Sequence, residues 1–269
     1  VEFLYSDGIL LEELELVNSP FWTIHPTFCS NVVARRLVIL NPNDAPNTDG
    51  FDPDSTVNVS LTDSYFDVGD DGVAIKSGWD CFGIDAHRPT ENVHIRNLTV
   101  NSPCCAGVCI GSEMSGGVAN VFLEDIHLQH VGQGLYIKAG MGRGGFVRNI
   151  TYRNVDMENT IHSAIEINDF YGSINPTCHG RDAGAVPAVD GVVFHDIRAH
   201  GKGGIAFEGL PQKAIMGIAM HNVTVVKEGG GPVWKCANVE GGSATDVVPP
   251  PPSWCGFGGT VREDTVNTV

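Results

Sequence analysis

The sequence predicts an all-β chain wound as a right-handed parallel β-helix solenoid. Three observations lead there. A nine-residue pattern recurs eight times, its apolar positions alternate with period two, and a second strand signal containing Gly follows most copies at a near-constant offset. Period-two alternation means a strand with one buried face. Strand-only repeats of this length stack coil upon coil. A leucine-rich repeat needs a fixed leucine and asparagine consensus that is missing, and propeller blades need longer repeats.

The copies start at Gly8, Asn31, Asn58, Asn92, Asn120, Asn149, Gly191 and Gly217. Positions two, four, seven and nine are mostly apolar, as in Val93, Ile95, Leu98 and Val100 or Val121, Leu123, Ile126 and Leu128. Position six is Asp63, Asn97, Asp125, Asn154, Asp196 or Asn222 in six copies, and Asx residues tolerate a bend. Each copy therefore reads as two short strands around a corner. The second signal is Gly72-Val73-Ala74-Ile75, Gly107-Val108-Cys109-Ile110, Gly134-Leu135-Tyr136-Ile137 or Gly204-Ile205-Ala206-Phe207. The longest step between copies holds the loop 168–187, a candidate wall for a groove or plain surface. Residues 1–228 read as the solenoid that carries the site. Residues 229–269 read as an irregular Gly- and Pro-rich tail packing on it, because Gly229-Gly230-Gly231-Pro232 and the proline run 249–252 cannot be strand interior.

The 269 residues are 42% hydrophobic, enough for a sizeable core. A formal net charge of -16 argues against nucleic acid and anionic membranes as partners. No apolar run approaches the roughly 20 residues of a membrane span. Eight Cys and four sequons, at Asn58, Asn97, Asn149 and Asn222, favour a secreted glycoprotein with disulfides. Cys236 and Cys255 flank the proline run and could clip it. Cys81 with Cys104 or Cys105 is a weaker pairing. Cys105 and Cys109 could pass for half a zinc site, but no second close pair follows. No metal and no cofactor is expected.

Three carboxylates, Asp49, Asp70 and Asp71, lie next to glycines in Asn47-Thr48-Asp49-Gly50 and Gly69-Asp70-Asp71-Gly72. Turn chemistry alone often clusters Asp with Gly. Stacked coils, however, would bring these residues and Lys138 onto one ridge, and paired carboxylates are what acid–base hydrolysis needs. Like charges in one pocket push a neighbour's pKa upward, a route to a protonated acid beside an ionised base. Adjacent Asp70 and Asp71 would point to opposite faces of a regular strand, so irregular backbone at the flanking glycines must aim both outward.

These motifs resemble those of the pectin-degrading glycoside hydrolases that include the polygalacturonases. The resemblance is carried in order by Asn47-Thr48-Asp49, Gly69-Asp70-Asp71, Ile110-Gly111-Ser112 and Ile137-Lys138. The stretches 19–26 and 76–80, Gly142-Arg143-Gly144-Gly145 and Trp234-Lys235-Cys236 resemble the plant and bacterial branch. It implies hydrolysis of α-1,4-galacturonosidic bonds with inversion, by a secreted, monomeric, cell-wall-acting enzyme whose N-terminal turns precede Val1. By the resemblance Asp70 is the general acid, Asp49 and Asp71 hold and activate water, and Lys138 binds a substrate carboxylate. Stacked coils place the carboxylates nearer the retaining than the inverting separation; inversion is nonetheless the expectation taken here.

Two departures stand out. Where the family often has Gly-His-Gly this chain has Cys105-Ala106-Gly107, and where it often has Arg-Ile-Lys this chain has Tyr136-Ile137-Lys138. Arg143 is then a replacement carboxylate clamp or a solvated loop residue, Lys76 faces the groove or the core, and Tyr136 takes the clamp position. Trp79 either stacks on a sugar or is buried. His25, His87, His94, His162 and His195 carry no paired signal. Other readings are hydrolysis of rhamnogalacturonan or xylogalacturonan, and a non-catalytic carbohydrate-binding β-helix. A lyase would need a calcium site, and Asp49, Asp52 and Asp54 lack a calcium-loop spacing.

Overall fold

In the computed structural model, which describes residues 1–172, 178 and 184–258, the chain forms a right-handed parallel β-helix. One column of strands runs in the order Asp7–Glu12, Ser30–Arg35, Val57–Asp67, Thr90–Ile110, Val118–Lys138, Phe146–Thr160, Ala188–Gly201 and Ile215–Lys227, every neighbour parallel. A second face stacks Val73–Ile75 on the end of Thr90–Ile110, then the end of Val118–Lys138, then Ser163–Asn168, Gly204–Glu208 and Trp234–Ala237. Most of the loop 168–187, at 173–177 and 179–183, lies outside the described residues, as does 259–269.

The nine-residue pattern maps onto this geometry through its corners. Positions one and six both take left-handed backbone, from Gly8 (φ 73°) and Glu13 (φ 56°) through Asn58 and Asp63 to Gly217 and Asn222. Asn and Asp tolerate that region better than other side-chain-bearing residues. Their side chains also hydrogen-bond from coil to coil. Asn58, Asn92, Asn120 and Asn149 each donate to the Asn one coil before, at 2.7–3.2 Å. At the other corner Asn97 donates to Asp63, Asn154 to Asp125 and Asn222 to Asp196. The four sequon asparagines are thus members of these ladders.

Between corners the apolar positions point inward and align by register. Leu61, Ile95, Leu123, Tyr152, Phe194 and Met220 form one column, and Phe66, Val100, Leu128 and Met157 another. Tyr152 and Phe194 stack with centroids 5.3 Å apart. Because each rung buries its side chains against the rungs on either side, one core runs from Ile9 to Cys255.

The tail departs from its sequence reading. Residues 229–233 are irregular, but Trp234–Ala237, Val239–Glu240 and Ser243–Val248 are strands that pair with the preceding coil. Gly241 (φ 67°) and Asp246 (φ 54°) occupy the two corner positions, so a ninth copy starts at Gly241. Its apolar positions two and four are Gly242 and Ala244, too small to show as alternation. Cys236 pairs with Cys255 as expected. The other expected pairing is corrected: Cys81 joins Cys178, 97 residues on, and Cys104 joins its neighbour Cys105. Among the described residues no helix is long and apolar enough to cross a membrane.

Candidate active site

Three consecutive coils converge on one outer face. The backbone of Gly50 donates to Asp71 O at 3.0 Å and that of Gly72 to Ala106 O at 2.8 Å, so Asp49, Asp70–Asp71 and Ala106 sit on successive rungs. The glycines are required by close approach. A Cβ on Gly72 would lie 2.4 Å from Val100 Cγ1 and 2.5 Å from Gly107 O. Residues 69–72 are irregular, with bends at 69, 70 and 72, and the strand Val73–Ile75 begins only after them. This irregular backbone turns both neighbouring carboxylates to one side, and one oxygen each of Asp49, Asp70 and Asp71 lies within 4.8 Å of the others. The residues singled out from the Asp-Gly pattern are therefore brought together.

Each carboxyl has a different environment. Asp71 is buried, and burial alone would raise its pKa. The Lys138 ammonium on Oδ2 more than offsets this, helped by Lys76 and by the Ala106 N–H on Oδ1 at 2.9 Å, so Asp71 is held below the usual carboxylate range. Cys109 Sγ also donates to Oδ2, at 3.1 Å. Burial and then the Asp71 charge raise Asp70 above its ordinary value, against N–H donors from Asn47 (3.0 Å) and Asp71 (2.9 Å). Burial and the Asp71 charge push Asp49 up to about 7, with Lys76 opposing. The trio thus sets one carboxyl held below the usual range beside two raised above it.

Asp52 is a fourth acid that the sequence motif did not single out. Fully buried, it is raised well above the ordinary range by burial and then by Asp49. Neither of its oxygens has a hydrogen-bond partner among the described residues, and the Lys76 ammonium stands 3.7 Å from Oδ1. The available signal was register: Phe51 bridges Val73, which sets Asp52 beside outward-facing Ala74. Glu113 was also missed, and nothing in its local sequence marks it.

The four expected substrate-contacting residues are all buried, and the three cations among them already have partners. Lys138 Nζ pairs with Asp71 and lies 5.5 and 5.8 Å from the ring centroids of Tyr171 and Tyr136. Lys76 Nζ contacts Glu113 (3.0 Å), Asp52 (3.7 Å) and Asp49 (4.0 Å) and sits 4.4 Å over Trp22. Arg143 is neither solvated nor open: it pairs with Asp80 and reaches Ser112 Oγ at 3.5 Å. Tyr136 packs with Ala74, Ala106 and Cys109 as a small apolar floor outside the main core. Trp79 is exposed, its ring 5.5 Å from the Arg143 guanidinium. Three clustered carboxylates are also a donor set for hard cations, but here two ammonium groups are seated among them.

The class so defined is a parallel β-helix bearing a carboxylate trio on one outer face, each acid tuned differently by burial and by buried cations. Residues 2–246 match Glycosyl hydrolases family 28, and the chain belongs to that family. It is 40% identical over 254 residues to a Vitis vinifera protein described as a "Probable polygalacturonase", covering 93% of this chain and 51% of that protein. It is 29% identical over 234 residues to an endo-polygalacturonase of Pectobacterium carotovorum subsp. carotovorum, covering 87% and 53%. Among solved structures, a hyperthermoactive exopolygalacturonase from Thermotoga maritima superposes with TM-score 0.82 at 30% identity, covering 92% of this chain and 53% of that one. The polygalacturonase of Erwinia carotovora ssp. carotovora gives 0.75 at 27%, covering 91% and 59%. The chain spans about half the length of the relatives it matches.

Proposed function

We propose that the protein hydrolyses α-1,4-galacturonosidic bonds of a pectic backbone. The observation that carries this reading is the convergence of Asp49, Asp70 and Asp71, with oxygens within 4.8 Å of one another, on the outer face of a family 28 β-helix. Asp70, raised by burial and the Asp71 charge and less buried than its neighbours, acts as general acid on the glycosidic oxygen. Asp71, held ionised by Lys138, accepts the proton of the attacking water. Asp49, pushed up to about 7 by burial and the Asp71 charge, holds that water from the other side. Attack from the face opposite the leaving group inverts the anomeric carbon. General rules set about 5–5.5 Å between carboxyl groups for retention and about 6.5–9.5 Å for inversion. One oxygen of each of Asp49, Asp70 and Asp71 lies within 4.8 Å of the others, closer than the inverting range, so inversion is proposed from the family resemblance and not from this spacing.

Lys76 and Arg143 act in this reading as buried counterions that position Asp49, Glu113 and Asp80, rather than as clamps. Three disulfides fit an oxidising compartment, which for a pectic substrate is the cell exterior. The test is release of new reducing ends from polygalacturonate and from pectin. Wild type should produce them, and Asp70→Asn, which cannot donate the proton, should lose at least about 100-fold in kcat. Equal rates for the two proteins would overturn the assignment.

A further inference from the structure

The strand that carries Ala106 reaches the trio through a corner with two neighbouring cysteines. By register Ser102 faces Val131 and Ala106 faces Gln133, so Pro103, Cys104 and Cys105 stand opposite the single residue Gly132. The corner is therefore a bulge, outside the regular ladder. Both of its ends touch the trio. Ser102 Oγ donates to the Asp70 carbonyl at 2.6 Å, and the Ala106 N–H donates to Asp71 Oδ1 at 2.9 Å. Between them, Cys104 Sγ lies 3.0 Å from the carbonyl oxygen of Gly69, the residue before Asp70.

Cys104 and Cys105 are joined to each other. Neighbouring residues close the shortest loop a disulfide can, so this bridge takes little entropy from the unfolded chain and does little to staple the fold. What it fixes is local. It closes a small ring around the peptide bond between the two cysteines, and so sets the direction in which the chain leaves Cys105 for Ala106. It also differs in access from the other two bridges among the described residues. Cys104 is exposed and Cys105 half-buried, whereas Cys81, Cys178 and Cys255 each have relative exposure of 5% or less. Exposed disulfides are the ones that thiols reach and open. The free Cys29 and Cys109 are both buried.

We propose that the Cys104–Cys105 bridge is a redox-sensitive positioning element: oxidised, it holds Ala106 against Asp71, and a thiol reductant opens it and slows the reaction. This rests on the reading of the trio as a hydrolase and adds its regulation. Two thiols, or one dithiol, supply two electrons and two protons. The S–S bond breaks, both cysteines become thiols, and the reductant leaves as a disulfide. In an oxidising exterior the closed, active form is the resting one. Opening frees the bulge, and the Ala106 N–H no longer holds Asp71 Oδ1 in place. The ionised form of Asp71 then loses a donor, so the group takes up its proton at higher pH.

The experiment treats the folded protein with dithiothreitol, alkylates samples with N-ethylmaleimide at intervals and maps the modified cysteines by mass spectrometry. Cys104 and Cys105 should be alkylated before Cys81, Cys178, Cys236 and Cys255. Protein reduced to that stage and left unalkylated should bind one phenylarsine oxide per chain, since trivalent arsenic captures neighbouring thiols. Release of reducing ends from polygalacturonate and pectin is then followed from about pH 4 to 7. Reduction should lower kcat several-fold with KM little changed. It should also move the acid limb of the kcat profile up by about one pH unit, the size of one hydrogen bond to a charged group. Reoxidation with glutathione disulfide should restore both. Cys104→Ser with Cys105→Ser should behave as the reduced protein and ignore the reductant. Alkylation of the other pairs first, or an open bridge with kcat and acid limb unchanged, would overturn the inference and leave the hydrolase reading standing. No product from the oxidised protein would overturn the hydrolase reading, and the inference with it.

Discussion

Replacing Lys138 with Met removes the ammonium from Asp71 while roughly keeping the side-chain volume. Asp71 and Lys138 are both buried, and among the described residues no other cation comes as near to Asp71. Breaking a buried pair by deleting one partner costs about 3–5 kcal/mol, because the remaining charge is stranded. The Ala106 N–H and Cys109 thiol remain as donors, which places the expected loss near the lower end, about 3 kcal/mol at pH 7. The pH dependence has a defined sign. In wild type the Asp71 pKa is depressed, so its contribution is present above the unfolded carboxylate value and is lost as pH falls through the folded one. Without Lys138, burial pushes that pKa up, and the stranded carboxyl is relieved by protonation. The difference between the proteins should therefore be largest at pH 7 and shrink towards pH 4. Urea unfolding at both pH values measures it, and Lys138→Met with Asp71→Asn should recover most of the loss. A single variant within about 1 kcal/mol of wild type at pH 7, or a double variant as unstable as the single, would refute the pairing as the source of Asp71 ionisation.

Three further outcomes are expected. Asp49, raised to about 7, binds its proton in the folded state across a window where the unfolded chain has lost it, so its contribution to stability falls as pH rises from about 4 to 7; Asp49→Asn should flatten that slope by a few kcal/mol in pH-dependent unfolding, on the order of the shift. Gly72→Ala should cost about 1–3 kcal/mol by overpacking against Val100 and Gly107 and should displace Asp70 and Asp71, lowering kcat in excess of the stability loss. Tyr152→Phe should raise the melting temperature, since its buried hydroxyl has no partner among the described residues and such a group costs about 1–3 kcal/mol.

Much of this architecture was legible because a solenoid repeats its physics locally. Asn31, Asn58, Asn92, Asn120 and Asn149 mark one corner, and the Asp and Asn residues from Asp63 to Asn222 mark the other. Apolar alternation between them gives the core. The ninth copy is not legible in the sequence because Gly242 and Ala244 replace its larger apolar residues and a proline run follows. The trio was legible because Gly50 and Gly72 flag where rungs approach too closely for a Cβ. The cations were not. Whether Arg143 or Lys76 faces solvent depends on Asp80 and Glu113, which lie 63 and 37 residues away and meet them only through stacking. The same holds for Cys81 and Cys178. The sequons read as glycosylation sites also serve as ladder positions, since a left-handed Asn followed by an alternating strand writes the same letters.

The most direct test is the anomeric configuration of the first product from a defined oligogalacturonide, free or methyl-esterified, followed by proton NMR before mutarotation. Cleavage of the α-linkage with a β-configured new reducing end is the outcome required by a protonated Asp70 on one side and an Asp71-activated water on the other. An α-configured end, or an unsaturated sugar, would show that the clustered acids do different chemistry.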